Sequence, residues 1–249
     1  MRRRTLVVLL FCGVYGLHAQ TVDEIVAKAL QARGGVSAIK AIQSERLTGH
    51  ISFEKNSPAG FMVQIKRPEK MREEIDFSEK TMIETTDGST GWRLMATNGT
   101  GTPEQLTPGE VQNMEGGADI DGPLLDYRRK GNKVELVGKA KVGNEDAYKL
   151  KVIDKKGEVR YDYLDANSFL EIKWEGQVEN AGKTNTFASL FSDYRKVQGV
   201  MFAFAITSGT ADNPNAQKIV FDKVEVNVPM SDTLFGKPSP PTRAGQPAH

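Results

Sequence analysis

The feature that most limits what this chain can become is a change of hydrophobic period at Ser44. Beyond it, Leu47, Gly49, Ile51 and Phe53 alternate with Arg46, Thr48, His50 and Ser52. Successive side chains leave a strand on opposite faces, so this alternation predicts a half-covered β-strand. The same period returns at Phe61-Val63-Ile65, Met71 to Phe77, Thr81 to Thr85, Trp92-Leu94 and Val134-Leu136. It continues at Tyr148 to Val152, Val159 to Tyr163, Leu170 to Trp174, Thr184 to Tyr194 and Val200 to Ile206. Turn residues separate these runs at Asn56 to Gly60, Asp87-Gly88, Gly143-Asn144, Lys156-Gly157 and Asp165-Ala166-Asn167. In the last run Ile219 and Phe221 require one phase and Val224, Val226 and Val228 the other, which predicts a bulge near Asp222-Lys223. About a dozen short strands joined by hairpins make an antiparallel sheet that curls or closes. Alternation alone does not separate a barrel from a sandwich.

Short helical segments interrupt this pattern. Thr21 and Glu24 have capping-box spacing. Val22, Ile25, Val26, Ala29 and Leu30 then share one helical face, and Gly34-Gly35 supplies the stop. A shorter apolar turn spans Val36 to Ile42. Between Asn98 and Asn132 the strand period disappears. Thr107-Pro108-Gly109-Glu110 starts a helix carrying Val111 and Met114, and Gly122-Pro123 starts another carrying Leu124, Leu125 and Tyr127.

The first nineteen residues form an export signal by composition. Arg2, Arg3 and Arg4 precede the apolar run from Leu6 to Phe11, which extends to Leu17 and ends at a small residue, Ala19. The run is shorter than the ~20 apolar residues that span a bilayer. Phe11 before Cys12 does not suit lipid attachment at that cysteine. Cleavage near Ala19 removes the single cysteine and three arginines, leaving 30 basic against 32 acidic side chains. That balance argues against nucleic acid, which selects strongly basic surfaces. The mature chain is then one domain, residues 20–230, followed by a Pro-rich tail, 231–249, read as disordered.

Catalytic signatures are sparse. His50 lies on the polar phase of a strand and His249 in the tail. No G-x-S-x-G, H-E-x-x-H, phosphate loop or dinucleotide fingerprint is present. Asp119-Ile120-Asp121-Gly122 lacks the ligands of a calcium loop, and Asp121 reads as a helix cap. No metal site or cofactor is implied. The abundant resource is apolar: Phe53, Phe61, Phe77, Trp92, Tyr161, Tyr163, Trp174, Phe187, Phe202 and Phe204 are spread over many strands. They suit a packed core, or a concave sheet holding acyl chains beneath a helical lid.

Two motifs carry a family resemblance. Lys66-Arg67-Pro68 precedes a strand, and Asp87-Gly88-Ser89-Thr90-Gly91-Trp92 follows as D-G-x-x-x-W. In these motifs, and in the order of elements over residues 20–230, the chain resembles the LolA/LolB-like periplasmic lipoprotein carriers. The resemblance implies a single antiparallel sheet of about 11–12 strands forming an unclosed barrel with a helical lid. It also implies that Arg67 bonds the lid. Cavity-lining candidates are Leu47, Ile51, Phe53, Phe61, Met71, Ile75, Trp92, Leu94, Tyr161, Tyr163, Trp174, Phe202 and Phe204. The lid's apolar face comprises Ile25, Val26, Leu30, Val111, Met114, Leu124 and Leu125. The chain is longer than the classical carriers, and Gly34-Gly35 with Val36 to Ile42 lies outside their pattern.

The expected function is non-enzymatic carriage of an acylated lipoprotein or lipid in the periplasm. Envelope donor and acceptor proteins would be partners, with no nucleic acid and no stable membrane anchor. The alternative is an envelope protein-interaction module on the same fold. A hydrolase is the third reading and requires clustered acids in a cleft, which no spacing selects.

Overall fold

A computed structural model describes residues 20–54, 57–180 and 183–241, without the side chains of 178–184. Residues 1–19, the expected export segment, Asn56 of the first expected turn, and the tail beyond Pro241 with His249 lie outside the described residues. Helix α1 spans Val22–Arg33 and α2 spans Val36–Ala41. Strands β1 to β6 follow at Ser44–Phe53, Ala59–Lys66, Lys70–Asp76, Lys80–Thr86, Gly91–Thr97 and Glu104–Gln105. After α3, Pro108–Ala118, come β7 to β13 at Lys133–Val142, Glu145–Ile153, Val159–Asp165, Glu171–Asn180, Lys183–Val197, Val200–Thr210 and Asn213–Val226. A 3-10 turn at Asp232–Phe235 ends the ordered elements.

All thirteen strands form one antiparallel sheet in the order β6-β5-β4-β3-β2-β1-β13-β12-β11-β10-β9-β8-β7. It does not close, because β6 and β7 are its two edges. Two meanders meet at the β1–β13 pair, and the chain passes from one edge to the other through α3 and residues 119–132. The phase change in β13 is a bulge: Thr48 pairs with Lys223 and Gly49 with Phe221, leaving Asp222 extra. Gly49 is required there, since a Cβ would lie 2.1 Å from the Val220 carbonyl oxygen.

Both capping boxes form as the sequence predicts, at Thr21/Glu24 and Thr107/Glu110. The helices cover one face of the sheet. Ile39, Ile42, Val111, Met114 and Ala118 pack with Ile51, Phe61, Val63, Ile75, Phe204 and Phe221 in the larger core. Ile25, Val26 and Ala29 of α1 pack with Val134, Leu150, Val152 and Leu164 in a second. A third small cluster, Ile83, Leu94 and Ala96, packs separately.

Two expectations are corrected. The segment after Gly122 is a run of turns, with Lys130 N–H bonding the Asp126 carbonyl and Asn132 N–H that of Tyr127. Positive φ at Gly122 and Asp126 interrupts a helical path. Leu125 is nonetheless fully buried and Leu124 packs beside α1. The stretch from Ser231 to Pro241 is also not disordered. Phe235 is fully buried. Lys66 bonds the Met230 carbonyl at 2.8 Å, and the Thr85 hydroxyl bonds the Gly236 carbonyl at 2.9 Å. A single large aromatic and a few polar anchors offset the low hydrophobicity that suggested disorder.

Two stability predictions follow from this packing. Gly49→Ala should lower the free energy of unfolding by about 1–3 kcal/mol through the clash at the bulge. Phe235→Ala should lower it by about 3–5 kcal/mol, as for other buried aromatics. Both are read from urea denaturation midpoints, and an unchanged Phe235→Ala midpoint would show that the C-terminal strap adds nothing to stability.

Candidate functional site

The K-R-P segment sits at the end of β2, where period two sends its neighbouring side chains to opposite faces. Lys66 reaches the C-terminal strap, bonding Asp232 at 2.7 Å. Arg67 turns to the helices. Its Nε donates to the Ile42 carbonyl at 2.6 Å, and its Nη2 to the Ile39 carbonyl at 3.2 Å and to Asp121 Oδ1 at 2.6 Å. The first two bonds go to carbonyls at and just past the C-terminal end of α2, where the helix dipole favours a cation; the Ile39 carbonyl also accepts from the Ile42 N–H at 3.2 Å.

Two more cations close on the same loop. Arg33, in the last turn of α1, donates to the Asp121 and Ile120 carbonyls at 2.8 and 2.7 Å. Lys130 bonds Asp119 at 2.5 Å and the Gly122 carbonyl at 2.9 Å. Partial burial works to raise the Asp121 carboxyl, but the Arg67 bond and the charges of Arg67, Lys130 and Arg33 hold it below its ordinary range. Asp121 is thus an ion-pair partner and not the helix cap the sequence suggested. Helix α2, the 119–122 segment and the sheet are joined through this polar node.

The aromatic and aliphatic candidates divide between the two faces. Ile51, Phe61, Met71, Ile75, Phe202 and Phe204 are buried on the helix-covered face, with Leu47 and Phe53 half-buried beside them. Phe61 stacks on Phe221 with centroids 6.0 Å apart. Trp174, opposite Asp162, lies on this face too, and Arg160 stands 5.2 Å from its ring. Trp92 and Leu94 pair with Thr85 and Ile83, which places them on the other face. Lys237 of the strap lies 5.0 Å over the Trp92 ring. Tyr161 and Tyr163 also point away from the helices, opposite Lys151 and Lys149. Ile25, Val26, Val111 and Met114 are buried beneath their helices, and Leu30 packs against both larger cores. The D-G-x-x-x-W segment is a turn, in which Asp87 accepts from the backbone N–H groups of Ser89 and Thr90. Burial opposes those bonds, yet they hold the Asp87 carboxyl at about 2.

Two cavities adjoin the helical layer. One, about 360 Å³, lies between α1 and the 124–129 turns, with Val26, Ala27, Leu30 and Leu124 below an ionic rim. The other, about 290 Å³, lies under α3 and is lined by Met71, Met114, Glu73, Glu84, Glu110 and Arg93 among others. Burial, reinforced by the charge of Glu84, pushes the Glu73 carboxyl up to about 7. Clustered acids that no sequence spacing revealed therefore do gather in a cleft. Arg93 bridges Glu84 at 2.5 Å and Glu110 at 2.9 Å, however, so Glu73 has no free second carboxylate to act with across a substrate. Among the described residues no group of three or more His, Cys, Asp or Glu side chains is placed to hold a metal ion.

A carboxyl whose pKa is raised on folding contributes stability below its unfolded value, near 4.5, and loses it as pH rises through about 7. Glu73→Gln should therefore raise stability at pH 8 by roughly 1–3 kcal/mol over the parent and have little effect at pH 4. Urea titrations at the two pH values test this, and equal effects at both would remove the burial argument.

No protein-family model matches the sequence, and no curated protein matches it in sequence. Several solved structures match in fold. A DUF1329 family protein from Desulfovibrio piger aligns with a TM-score of 0.58 at 12% identity, covering 87% of this chain and 98% of that one. A putative outer membrane lipoprotein-sorting protein domain from Vibrio parahaemolyticus gives 0.55 at 10% identity, covering 86% and 95%. A LolA superfamily protein from Nitrosomonas europaea gives 0.55 at 15% identity, covering 88% and 99%. By these matches, and with its own unclosed antiparallel sheet and helices over one face, the chain has the LolA-like fold.

Proposed function

We propose that this protein is a non-enzymatic carrier of the cell envelope that shelters the acyl chains of a lipoprotein or lipid between its sheet and its helical lid. The observation that carries this reading is a continuous apolar face, from Ile75 through Phe61 to Phe204, covered by helices that are tied down through a polar node. Apolar packing between lid and sheet can be replaced by alkyl chains at ~0.8 kcal/mol per buried CH₂. The Arg67 and Arg33 bonds set the threshold for lifting the lid. Closure in the absence of cargo covers an apolar surface that would otherwise promote aggregation. Similarity to a putative lipoprotein-sorting domain supports the reading at the level of fold. Residues 1–19 direct export to the periplasm, with cleavage near Ala19. Among the described residues no helix is long and apolar enough to cross a membrane.

The second reading, a protein-interaction module without lipid, is favoured by β7. Its ten residues form an edge of the sheet, with Val137 55% exposed. The two are separated by titrating the mature protein with a fluorescent diacylated lipopeptide in detergent-free buffer. The carrier should bind it, Phe61→Asp and Phe202→Asp should each weaken binding at least about tenfold, and Trp92→Asp, on the far face, should leave it unchanged. Equal binding by all four proteins would locate the lipopeptide elsewhere and remove the carrier reading.

A further inference from the structure

We propose that Glu45 is the second partner of Arg67, a carboxylate held in reserve that takes over the guanidinium when the Asp121 segment and α2 lift from the sheet. The inference rests on the carrier reading for its purpose, and on independent geometry for its mechanism. Glu45 lies on the helix-covered face of β1, between Ile65 of β2 and Val226 of β13, and is only 6% exposed. Its Oε1 is buried with no hydrogen-bond partner. An unsatisfied buried carboxylate is costly, and a native structure retaining one calls for a reason.

The register supplies that reason. Arg67 N–H bonds the Gln43 carbonyl at 3.0 Å, extending the β1–β2 ladder by one pair. Arg67 is therefore the diagonal neighbour of Glu45 on the same face. Such neighbours stand ~7–8 Å apart, within reach of long side chains. The charged groups that act on Glu45 are Arg33 from α1 and Arg67 from the end of β2. Its other cross-strand neighbours, Ile65 and Val226, are apolar. Both arginines are committed elsewhere while the lid is down, Arg67 to α2 and Asp121, Arg33 to the carbonyls of residues 120 and 121.

Lifting the lid removes the Asp121 carboxylate and the Ile39 carbonyl from Arg67 and would leave its guanidinium without a counter-charge at the apolar face. Rotation onto Glu45 prevents that, so the open form gains an ion pair that the closed form lacks. The exchange is coupled to a proton. In the closed form burial pushes the Glu45 carboxyl up to about 7 against the pull of Arg33 and Arg67. In the open form direct pairing returns it toward or below the ordinary carboxylate range. The closed form thus binds the proton more tightly, low pH holds the lid down, and opening becomes easier as pH rises through about 7.

The test uses the mature chain, which lacks cysteine after loss of residues 1–19, with spin labels at Ser37→Cys on α2 and Lys218→Cys on β13. Pulsed electron paramagnetic resonance gives the fraction of long label separations at pH 5 and pH 8, alongside lipopeptide binding. The ratio of open to closed should rise at least about tenfold between these values in the parent. It should stay low and independent of pH in Glu45→Gln, whose amide cannot take the charge. Glu73 and Glu171, also pushed up to about 7, titrate in the same window, and the Glu45 variant separates their contribution. Circular dichroism and urea midpoints establish that the variant folds, and Glu45→Met carries the same test if the amide does not. A parent that ignores pH, or a Glu45 variant that keeps the parent's response, overturns the exchange. Opening that depends on Glu45 without lipopeptide binding overturns the carrier reading and leaves the exchange standing. Binding with opening that ignores Glu45 does the reverse.

Discussion

The pairing of β1 with β13 is the constraint on which everything else depends. Each partner terminates a meander, one running out to β6 and the other to β7, and their ladder makes a single sheet from the two. The two strands are separated by almost the whole domain in sequence, so the sheet is complete only after a long loop-closure cost has been met. At this seam the backbones approach closely, with Gly49 set against the Val220 carbonyl and Asp222 extruded as a bulge. The bulge lets one strand bury Ile219 and Phe221 on the same face as Val224 and Val226.

Once the seam is made, both faces of its neighbourhood are occupied by segments distant in sequence. The helices pack on one side and the C-terminal strap on the other, and the two adjacent side chains of Lys66-Arg67 anchor one each. Cohesion of the two covers differs in kind. The strap buries Phe235 completely and adds ion pairs from Lys66 and Lys70 to Asp232. The helical cover adds to its apolar contacts a node in which Arg33, Arg67 and Lys130 converge on four residues of one loop.

Local rules made much of this legible. Period-two runs, both capping boxes, the Gly34-Gly35 stop and the β13 bulge follow from residue type and spacing, and each appears where those rules place it. The face of each strand was less legible. Trp92, Leu94, Tyr161 and Tyr163 are as apolar in pattern as Phe61 or Phe204, but alternation shows only that a strand has two faces. Which face meets the helices is settled by register with neighbours. The turns at 122–131 and the burial of Phe235 escaped for a related reason, because a short weakly periodic segment takes its conformation from what it packs against.

The sequence by itself determined that the chain is mainly β, antiparallel and hairpin-joined, with helices at its start and in one insertion, because these properties arise from neighbours a few residues apart. Only the tertiary structure decided that the sheet stays open at β6 and β7, and that Arg33, Glu45, Arg67 and Asp121 share one region. It likewise decided that Glu73, Glu84 and Arg93 line one cavity. Charges from four separate elements carry no common spacing in the chain. Their encounter depends on strand order and on the helices' approach, and electrostatic interactions act through distance in space, not along the sequence.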